Sequence, residues 1–402
     1  MPKLTVRDVP VEGRSVFLRV DFNVPLSPEG EVLDNFRIRS SLPTIKYLLE
    51  RGARLIIGSH LGRPKGKVKD ELRMAPVAKE LARLLGSGVA SVREVVGEDV
   101  EYAARLLPPG GVLMLENLRF EAGEEENDPT LAMAMAELAD LYVNDAFGTA
   151  HRAHASTCGI TTFLPAVAGL LMEKEILYLS KSRENPTRPA AAILGGKKVA
   201  DKIGVIRSFM EQADYLLLGG AMANTFLKAM GYSLGSSLFE EDKLSIAKEI
   251  LEESKQKKVE LILPVDVVIT EDLRADAPFK VVKVEDVPSG WSAVDLGPET
   301  VQLFKDRIKS SKAVIWNGPL GAYEFSPFNK GTLEIASEVA AAEIESVVGG
   351  GDIVAALQDL GYADKITHLS TGGGAALEYW EGKDLPGLAV LWEKTDGLDG
   401  NL

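Results

Sequence analysis

The sequence contains one cysteine, no long apolar run and no excess of basic residues. Its single cysteine, Cys158, cannot form an internal disulfide, and we interpret it as a small buried hydrophobic residue. The longest apolar runs, such as 166–172, are well short of the roughly 20 residues that cross a bilayer. With 45 Lys and Arg against 59 Asp and Glu, the net charge of −14 argues against binding to nucleic acid or to an anionic membrane. The first residues lack the pattern of a secretory signal, so we expect a cytoplasmic protein.

The length of 402 residues suggests two domains, and the order of apolar runs supports this division. Short apolar, β-branched runs alternate with helix-like segments, which is typical of parallel sheets covered by helices on both faces. We predict an α/β protein with two doubly wound parallel-sheet (Rossmann-like) domains. The predicted strands are residues 15–20, 53–59, 111–115 and 140–145 in the first part, and 190–196, 215–220, 260–268, 313–319, 346–351 and 365–371 in the second.

A predicted helix at 165–185 lies between the two series of strands. It ends before Pro186 and Pro189, because proline cannot continue a helix. We expect this helix and a hinge to join a domain at 1–164 to a domain at 186–383, giving a bilobal molecule.

Arginines follow each of the first four predicted strands. Ligands of parallel sheets bind beyond the carboxyl ends of the strands, where the connecting loops lie. Because guanidinium groups bind phosphate and carboxylate oxygens through paired hydrogen bonds, four such loops predict a site for a small polyanion. The loops carry Asp21, Asn23, Arg37 and Arg39 after the first strand, His60 and Arg63 after the second, Arg119 after the third, and His151, Arg152 and His154 after the fourth.

The histidines of these loops have two interpretations. Either they are further donors to the anion, or His151 and His154 share a metal ion. We favour the first, because Arg152 lies between the two histidines and no carboxylate or cysteine stands at ligand spacing.

In the second half of the chain the strands end in glycine instead of arginine. Glycine lets a ligand approach the backbone, and a helix N-terminus offers free N–H groups, which suits the phosphates and base of a nucleotide. Neither a P-loop nor a GxGxxG pattern is present. The glycines are Gly195, Gly196, Gly219, Gly220, Gly318, Gly321, Gly349 to Gly351 and Gly372 to Gly374.

Three charged residues accompany these glycines. Lys198 and Lys202 are expected one turn apart on one face of a helix, within reach of phosphates. Asp352 either caps the helix that follows it or holds a Mg²⁺ ion that bridges nucleotide phosphates.

Eight segments, in order along nearly the whole chain, carry a resemblance to a known family. They are RVDFNVP, SHLGRP, ENLRF, NDAFGTAHRAHAST, LGGKKVADKI, WNGPLGAYE, VVGGGD and STGGGAALE. These segments closely resemble the motifs of the phosphoglycerate kinases. The resemblance implies reversible phosphoryl transfer from 1,3-bisphosphoglycerate to MgADP, giving 3-phosphoglycerate and MgATP, in glycolysis and gluconeogenesis.

The resemblance also implies roles for individual residues and a monomeric enzyme whose segment 384–402 packs on the first domain. It implies that the glycerate substrate is bound by Asp21, Phe22, Asn23, Arg37, His60, Leu61, Gly62, Arg63, Arg119 and Arg152. It implies that the nucleotide is bound by Lys198, Lys202, Gly219, Gly220, Gly297, Asn317, Pro319, Glu324, Gly350, Gly351, Asp352 and Ile353, with Asp352 at the metal. The implied catalytic residues are Arg37, Lys198 and Gly373.

The chemistry of the residues agrees with such a transfer. A carboxylate nucleophile is already ionised, so no general base is needed, and we find no base–nucleophile pair in the sequence. In-line positioning, positive charge and exclusion of water are needed instead. Because the two substrates bind to separate domains, we expect a closure with flexing at 165–185 and 370–372.

Two positions depart from the family pattern, and two other functions remain open. Lys197 stands where the family usually has a small residue, and Ile353 where Ser or Thr is common, so we expect effects on nucleotide affinity. The first alternative is a haloacid-dehalogenase-like phosphotransferase with Asp21 as nucleophile, although Asn23 replaces the second acid of that signature. The other alternative is a two-lobed protein that binds a phosphorylated metabolite.

Overall fold

The computed structural model describes residues 2–394, in which the chain folds into two compact units. The first unit consists of the chain up to Leu177 together with the segment that starts at Asp384, and the second consists of Tyr178–Lys383. The part of the predicted returning segment beyond Lys394 lies outside the described residues. Across 2–394, no helix is long and apolar enough to span a membrane.

In the described chain, the first unit is built on a six-stranded parallel sheet in the order β3-β4-β2-β1-β5-β6. The strands are β1 (Ser15–Arg19), β2 (Arg54–Gly58), β3 (Ala90–Ser91), β4 (Val112–Met114), β5 (Leu141–Asn144) and β6 (Ala166–Ala168). The helices are α1 (Phe36–Glu50), α2 (Ala75–Leu85), α3 (Glu98–Arg105), α4 (Ala122–Glu125) and α5 (Pro129–Ala136).

The middle of this sheet is apolar because β1 is buried between β2 and β5. Val16 of β1 pairs with Leu55 on one side and with Leu141 on the other. All three side chains are fully buried. The carboxyl end of β1 therefore lies in the centre of the sheet edge where the predicted anion site falls.

The second unit, within the described residues, has a six-stranded parallel sheet in the order β15-β14-β13-β7-β8-β9 and a three-stranded antiparallel sheet in the order β11-β10-β12. The strands are β7 (Ala190–Leu194), β8 (Tyr215–Leu218), β9 (Glu260–Ile262), β10 (Asp266–Thr270), β11 (Phe279–Lys283), β12 (Ser292–Leu296), β13 (Ala313–Asn317), β14 (Glu345–Gly349) and β15 (His368–Leu369).

The remaining helices follow the same alternation with strands. They are α6 (Leu170–Glu184), α7 (Ile203–Gln212), α8 (Gly220–Ala229), α9 (Leu244–Lys257), α10 (Pro298–Ser310), α11 (Lys330–Ala341), α12 (Gly351–Asp359), α13 (Gly374–Trp380) and α14 (Pro386–Ala389). The division between the units falls inside α6. The predicted α/β class with two parallel sheets is confirmed.

The predicted helix at 165–185 is wrong at its start. Residues Ala166–Ala168 form β6, which pairs with β5, and the helix α6 begins only at Leu170. Asp145 then caps the helix, since its Oδ1 accepts the N–H groups of Leu171 and Met172 at 2.9 and 3.2 Å. A short run of small and apolar residues fits a strand or a helix, and only the neighbouring strand decides between them.

The predicted strand at 260–268 is two strands of different sheets. β9 joins the parallel sheet and β10 the antiparallel one, with Pro264 between them, and proline interrupts strand pairing. The strands β11 and β12 were not predicted. In β11, Phe279 and Val281 are exposed, so this strand lacks the buried apolar face that marks a strand in a sequence.

Candidate active site

A buried carboxylate with cationic partners follows β1. Asp21 forms an ion pair with Arg37, which lies in the first turn of α1 and not in the loop where it was predicted. His60 Nδ1 lies 3.9 Å from Asp21 Oδ1. Burial acts to raise the pKa of Asp21, but the charges of Arg37 and Arg19 outweigh it, and the pKa lies below its usual value. Asp21 is therefore ionised and holds the basic side chains around it.

The imidazole of His60 is buried beside three guanidinium groups. Burial lowers its pKa well below the usual value; Asp21 acts in the opposite direction, and Arg19, Arg119 and Arg37 lower it further. The ring is neutral at pH 7 as a result. A neutral imidazole still carries one N–H, so it donates a hydrogen bond to an anion without adding charge.

Arg119 joins the loops that follow β1, β2 and β4. Its Nη1 donates to the carbonyl of Gly62 at 2.8 Å, and the Gly62 N–H donates to Asn23 Oδ1 at 2.9 Å. Its Nε lies 3.3 Å from Glu125 Oε1. Burial lowers the pKa of Arg119 to about 10, and Arg152 adds to this while Glu125 opposes it. A bound anion would relieve the repulsion between Arg119 and Arg152.

A further arginine, Arg19, lies beneath this group and is missing from the predicted site residues. It is fully buried, its Nε donates to Ser156 Oγ at 2.8 Å, and its Nη2 lies 3.4 Å from His60 Nδ1. Ser156 Oγ in turn donates to the buried carboxylate of Glu124 at 2.6 Å. Arg19 stands inside a strand and not in a loop. The one signal in the sequence was a charged residue within an apolar run.

The other predicted residues of the first unit differ in exposure. Phe22 and Leu61 are buried, whereas Arg63 is exposed. Arg152 Nε donates to His151 Nε2 at 3.1 Å.

His154 is buried, with its Nδ1 3.6 Å from Glu124 Oε1. In the described part of the chain, no group of three or more His, Cys, Asp and Glu side chains is placed to hold a metal ion.

The second unit contains a cavity of about 420 Å³. Leu238, Val267 and Leu296 contribute to its apolar wall. An apolar cavity with a few polar groups at its edge suits a flat base attached to a polar chain. Four of the predicted nucleotide residues line it, namely Gly220, Pro319, Glu324 and Asp352.

Gly220, at the start of α8, shows why this cavity needs glycine. Its φ is +67°, and a Cβ at this position would lie 2.7 Å from the carbonyl oxygen of Gly196. A larger residue would be strained and would push α8 away from the loop after β7. The close approach observed here is of backbone to backbone, whereas the prediction for these glycines was an approach of a ligand to the backbone.

Lys198 and Lys202 do not share a helix face, so this prediction is wrong. The helix α7 begins after both lysines, at Ile203. Lys202 is buried, and its Nζ donates to Asn317 Oδ1 and lies 3.3 Å from the Asn317 carbonyl oxygen. Burial lowers the pKa of Lys202 to about 8, although Asp201 and Asp352 act in the opposite direction. Lys198 is exposed.

Asp352 lies in the first turn of α12 and lines the cavity. The N-cap is Gly350, with φ +112°, and no side-chain hydrogen bond caps the helix, so the capping interpretation of Asp352 is wrong. Its exposed carboxylate lies beside a helix N-terminus. Mg²⁺ accepts one or two carboxylates when nucleotide phosphates supply further oxygens, and the residues present therefore fit this ion.

The remaining predicted nucleotide-binding and catalytic residues of the second unit stand at strand ends and helix starts and do not line the cavity. Gly297 is the N-cap of α10, where a Cβ would collide with the Asp266 carboxylate, and the adjacent Leu296 lines the cavity instead. Gly373, with φ +52°, precedes α13, and Ile353 is buried. The others are Gly219, Asn317 and Gly351.

The apolar cavity wall was missed in the sequence. Val267 belongs to β10, and Ala293 and Leu296 belong to β12. These strands were not recognised as a separate sheet, so their side chains had no predicted place beside a ligand.

A basic anion site on one parallel α/β unit and a nucleotide-sized cavity in another define a phosphotransferase of the kinase class. A family model for phosphoglycerate kinase matches residues 6–383. A phosphoglycerate kinase of Moorella thermoacetica is 55% identical over 394 residues, which cover 98% of this chain and 100% of that relative. The chain belongs to the phosphoglycerate kinase family. Its activity is that of a glycolytic phosphotransferase with a carboxyl group as acceptor.

Solved structures of phosphoglycerate kinases also match this chain. The phosphoglycerate kinase of Coxiella burnetii is 40% identical, with a TM-score of 0.86, and the match covers 97% of this chain and 98% of that one. The enzyme of Pyrococcus horikoshii OT3 is 32% identical, with a TM-score of 0.85 and coverage of 96% and 98%. These matches do not favour the haloacid-dehalogenase-like or the binding-protein alternative. Asp21 pairs with Arg37, which also argues against its being a nucleophile.

Proposed function

We propose that the enzyme transfers a phosphoryl group between 1,3-bisphosphoglycerate and MgADP, with the glycerate bound to the first unit and the nucleotide to the second. The observation that carries the glycerate assignment is the cluster of Asp21, Arg37, His60 and Arg119, in which Arg37 is partly exposed and the other three are buried. A concentration of guanidinium groups in a chain of net charge −14 suits a ligand with two anionic ends.

The glycerate site contains both charged and neutral donors. Arg37, Arg63, Arg119 and Arg152 supply guanidinium groups, and neutral His60 supplies an N–H. Asn23 and the backbone around Phe22, Leu61 and Gly62 shape the site. Asp21 positions Arg37 through their ion pair.

The nucleotide site combines backbone and side-chain contacts. We assign the base to the region of Gly219 and Gly220, the ribose hydroxyls to Glu324, and the phosphates to Lys202 and the N-terminus of α12 at Gly350, Gly351 and Ile353. Asn317 and Pro319 lie beside the nucleotide, and Gly297 supports the wall next to it. Asp352 would hold Mg²⁺, which when bound neutralises charge on the phosphate oxygens.

In the direction of ATP use, a carboxylate oxygen of 3-phosphoglycerate attacks the terminal phosphorus and the bond to the ADP oxygen breaks. Both oxygens are ionised, so no side chain needs to move a proton. Arg37, Lys198 and the backbone N–H of Gly373 stabilise the charge on the transferred group. Direct transfer requires the two substrates to meet, so we propose a closure motion with flexing at α6 and at 370–372.

The enzyme is proposed to act as a monomer in the cytoplasm, where nucleotides and sugar phosphates are present. The single cysteine fits a reducing compartment.

A coupled assay tests this function directly. ADP and enzymatically generated 1,3-bisphosphoglycerate are mixed with the protein, and ATP and 3-phosphoglycerate are expected in equal amounts. No phosphorylated protein should accumulate. A hydroxylamine-sensitive acyl phosphate on Asp21, or substrate loss without ADP, would reject the proposed reaction.

A further inference from the structure

The nucleotide cavity has an acidic lining although its proposed ligand is an anion. Four carboxyl groups line it, those of Glu271, Asp295, Glu324 and Asp352, and burial raises the pKa of Asp295 to about 7. Among the described residues of this lining, Lys197 is the only one with a positive charge. A single cation among several carboxylates has a large effect on the potential that an incoming anion meets.

Lys197 lies in the loop after β7 and faces a residue from the loop after β13. Its Nζ is 3.5 Å from Glu324 Oε1. The two side chains are 77% and 56% exposed, and an ion pair in this setting contributes little free energy. Lys197 can therefore leave Glu324 when a stronger anion approaches. A phosphate group, with more charge and more acceptor oxygens than a carboxylate, is such an anion.

We propose that Lys197 sets the affinity for the nucleotide by changing partners, from Glu324 in the free enzyme to a nucleotide phosphate in the complex. The exchange adds a cation to the phosphates. It also frees the Glu324 carboxylate to accept hydrogen bonds from ligand hydroxyls. The proposal rests on the nucleotide site proposed above.

Two other roles for Lys197 make different predictions. If its aliphatic chain only covers the cavity wall, a methionine will replace it without loss. If the pair with Glu324 is only a surface contact, its removal will leave binding unchanged.

Four variants of the full chain separate these roles. Lys197→Met keeps most of the aliphatic chain without the charge, and Lys197→Arg keeps the charge. Lys197→Ala removes both. Lys305→Ala is the matched control, because Lys305 Nζ lies 2.7 Å from Glu334 Oε2 in the same unit and Lys305 does not line the cavity.

The measurement is equilibrium binding of ADP, AMP and adenosine by titration calorimetry, at constant Mg²⁺ and without glycerate. We expect Lys197→Met and Lys197→Ala to weaken ADP binding about five- to thirtyfold, the range for a charge-assisted hydrogen bond that is partly open to water. AMP should be affected less and adenosine by less than about twofold, because the loss follows ligand charge. Lys197→Arg and Lys305→Ala should bind ADP within about threefold of the unchanged protein.

Two results would overturn the partner exchange. Unchanged ADP binding in Lys197→Met, with equal weakening for ADP and adenosine in Lys197→Ala, would make Lys197 a wall residue. Unchanged ADP binding in both variants would reduce it to a surface contact. In both cases the unchanged protein still binds ADP, and the proposed function stands. A failure of the unchanged protein to bind any of the three ligands would instead remove the nucleotide site itself.

Discussion

The two units share a parallel-sheet architecture but differ in the charge of their candidate ligand sites. In the first unit, Asp21 and Arg37 form an ion pair, and buried Arg19 lies beside His60 of the same site. In the second, the cavity is apolar and acidic, and its lining cation, Lys197, is mostly exposed. The fold determines where a ligand lies, at the carboxyl ends of strands, whereas the residues in the loops determine which ligand it is.

The largest expected effect is the loss of catalytic rate when the charge of Arg37 in the first unit is removed. Arg37→Ala should lower kcat by about 10³- to 10⁵-fold, the range for arginines that stabilise phosphoryl transfer. Steady-state kinetics with 3-phosphoglycerate and ATP measure it. Lys46→Ala, an exposed cation on the same helix α1, serves as the control and should retain the rate. A normal kcat in Arg37→Ala would mean that the buried charges of this unit bind substrate but do not act in the transfer.

The next largest effect is expected at Arg19, the buried arginine that lies beside His60 in the first unit. Arg19→Met removes a buried cation that opposes the effect of burial on the carboxylate of Glu124, and leaving a buried charge uncompensated in this way costs about 3 to 5 kcal/mol of unfolding free energy. Urea denaturation of the two proteins measures the difference. Arg207→Met, which removes a partly exposed pair with Glu253, should cost less than about 1 kcal/mol. Equal losses in the two variants would contradict the contrast between buried and exposed charge.

A smaller effect is expected at Asp352, the proposed Mg²⁺ ligand of the second unit. Asp352→Asn should weaken MgADP binding by about 10- to 150-fold, because an interaction with a charged group contributes about 1.5 to 3 kcal/mol. Titration with ADP at several Mg²⁺ concentrations measures the loss, which should shrink as Mg²⁺ is raised. An affinity that is independent of both the substitution and Mg²⁺ would place the metal elsewhere.

The smallest effect is a pH dependence that should belong to the second unit alone. The pKa of Lys202 is lowered to about 8, so its charge is present below pH 8 and is lost as the pH rises above it. ADP affinity should therefore fall above pH 8, by at most about tenfold per pH unit. The change is measured as Kd between pH 7 and 9.5. Lys202→Arg keeps its charge throughout this range and should give a flatter profile; an equally steep one would assign the titration to another group.

The sequence predicted elements whose signal is local. Most strands are buried on both faces and therefore read as apolar runs, as β1 and β13 do. Because the strand ends could be placed in the sequence, the loops that follow them could be placed too. His60 after β2 and Arg119 after β4 are examples. The Rossmann-like class followed from the alternation of strands and helices.

Features that depend on distant parts of the chain could not be predicted. β6 exists because β5 lies beside it, and the cavity wall of β10 and β12 exists because three separated segments form a sheet. The role of Arg19 depends on Ser156 and His60, which are far from it in the sequence. The exposed strand β11 had no periodic signal at all.

The described ends of the chain meet in the first unit, and this has a consequence for the order of assembly during synthesis. The N–H of Leu4 donates to the carbonyl of Trp392 at 2.8 Å, and the N–H of Gly387 donates to the carbonyl of Ala150 at 2.8 Å. A ribosome that makes the chain from its N-terminus synthesises the whole second unit before it adds Gly387 and Trp392. The unit whose synthesis begins first is therefore the last to acquire all of its contacts, because its closing segment, from Asp384 onward, is made after the whole of the second unit.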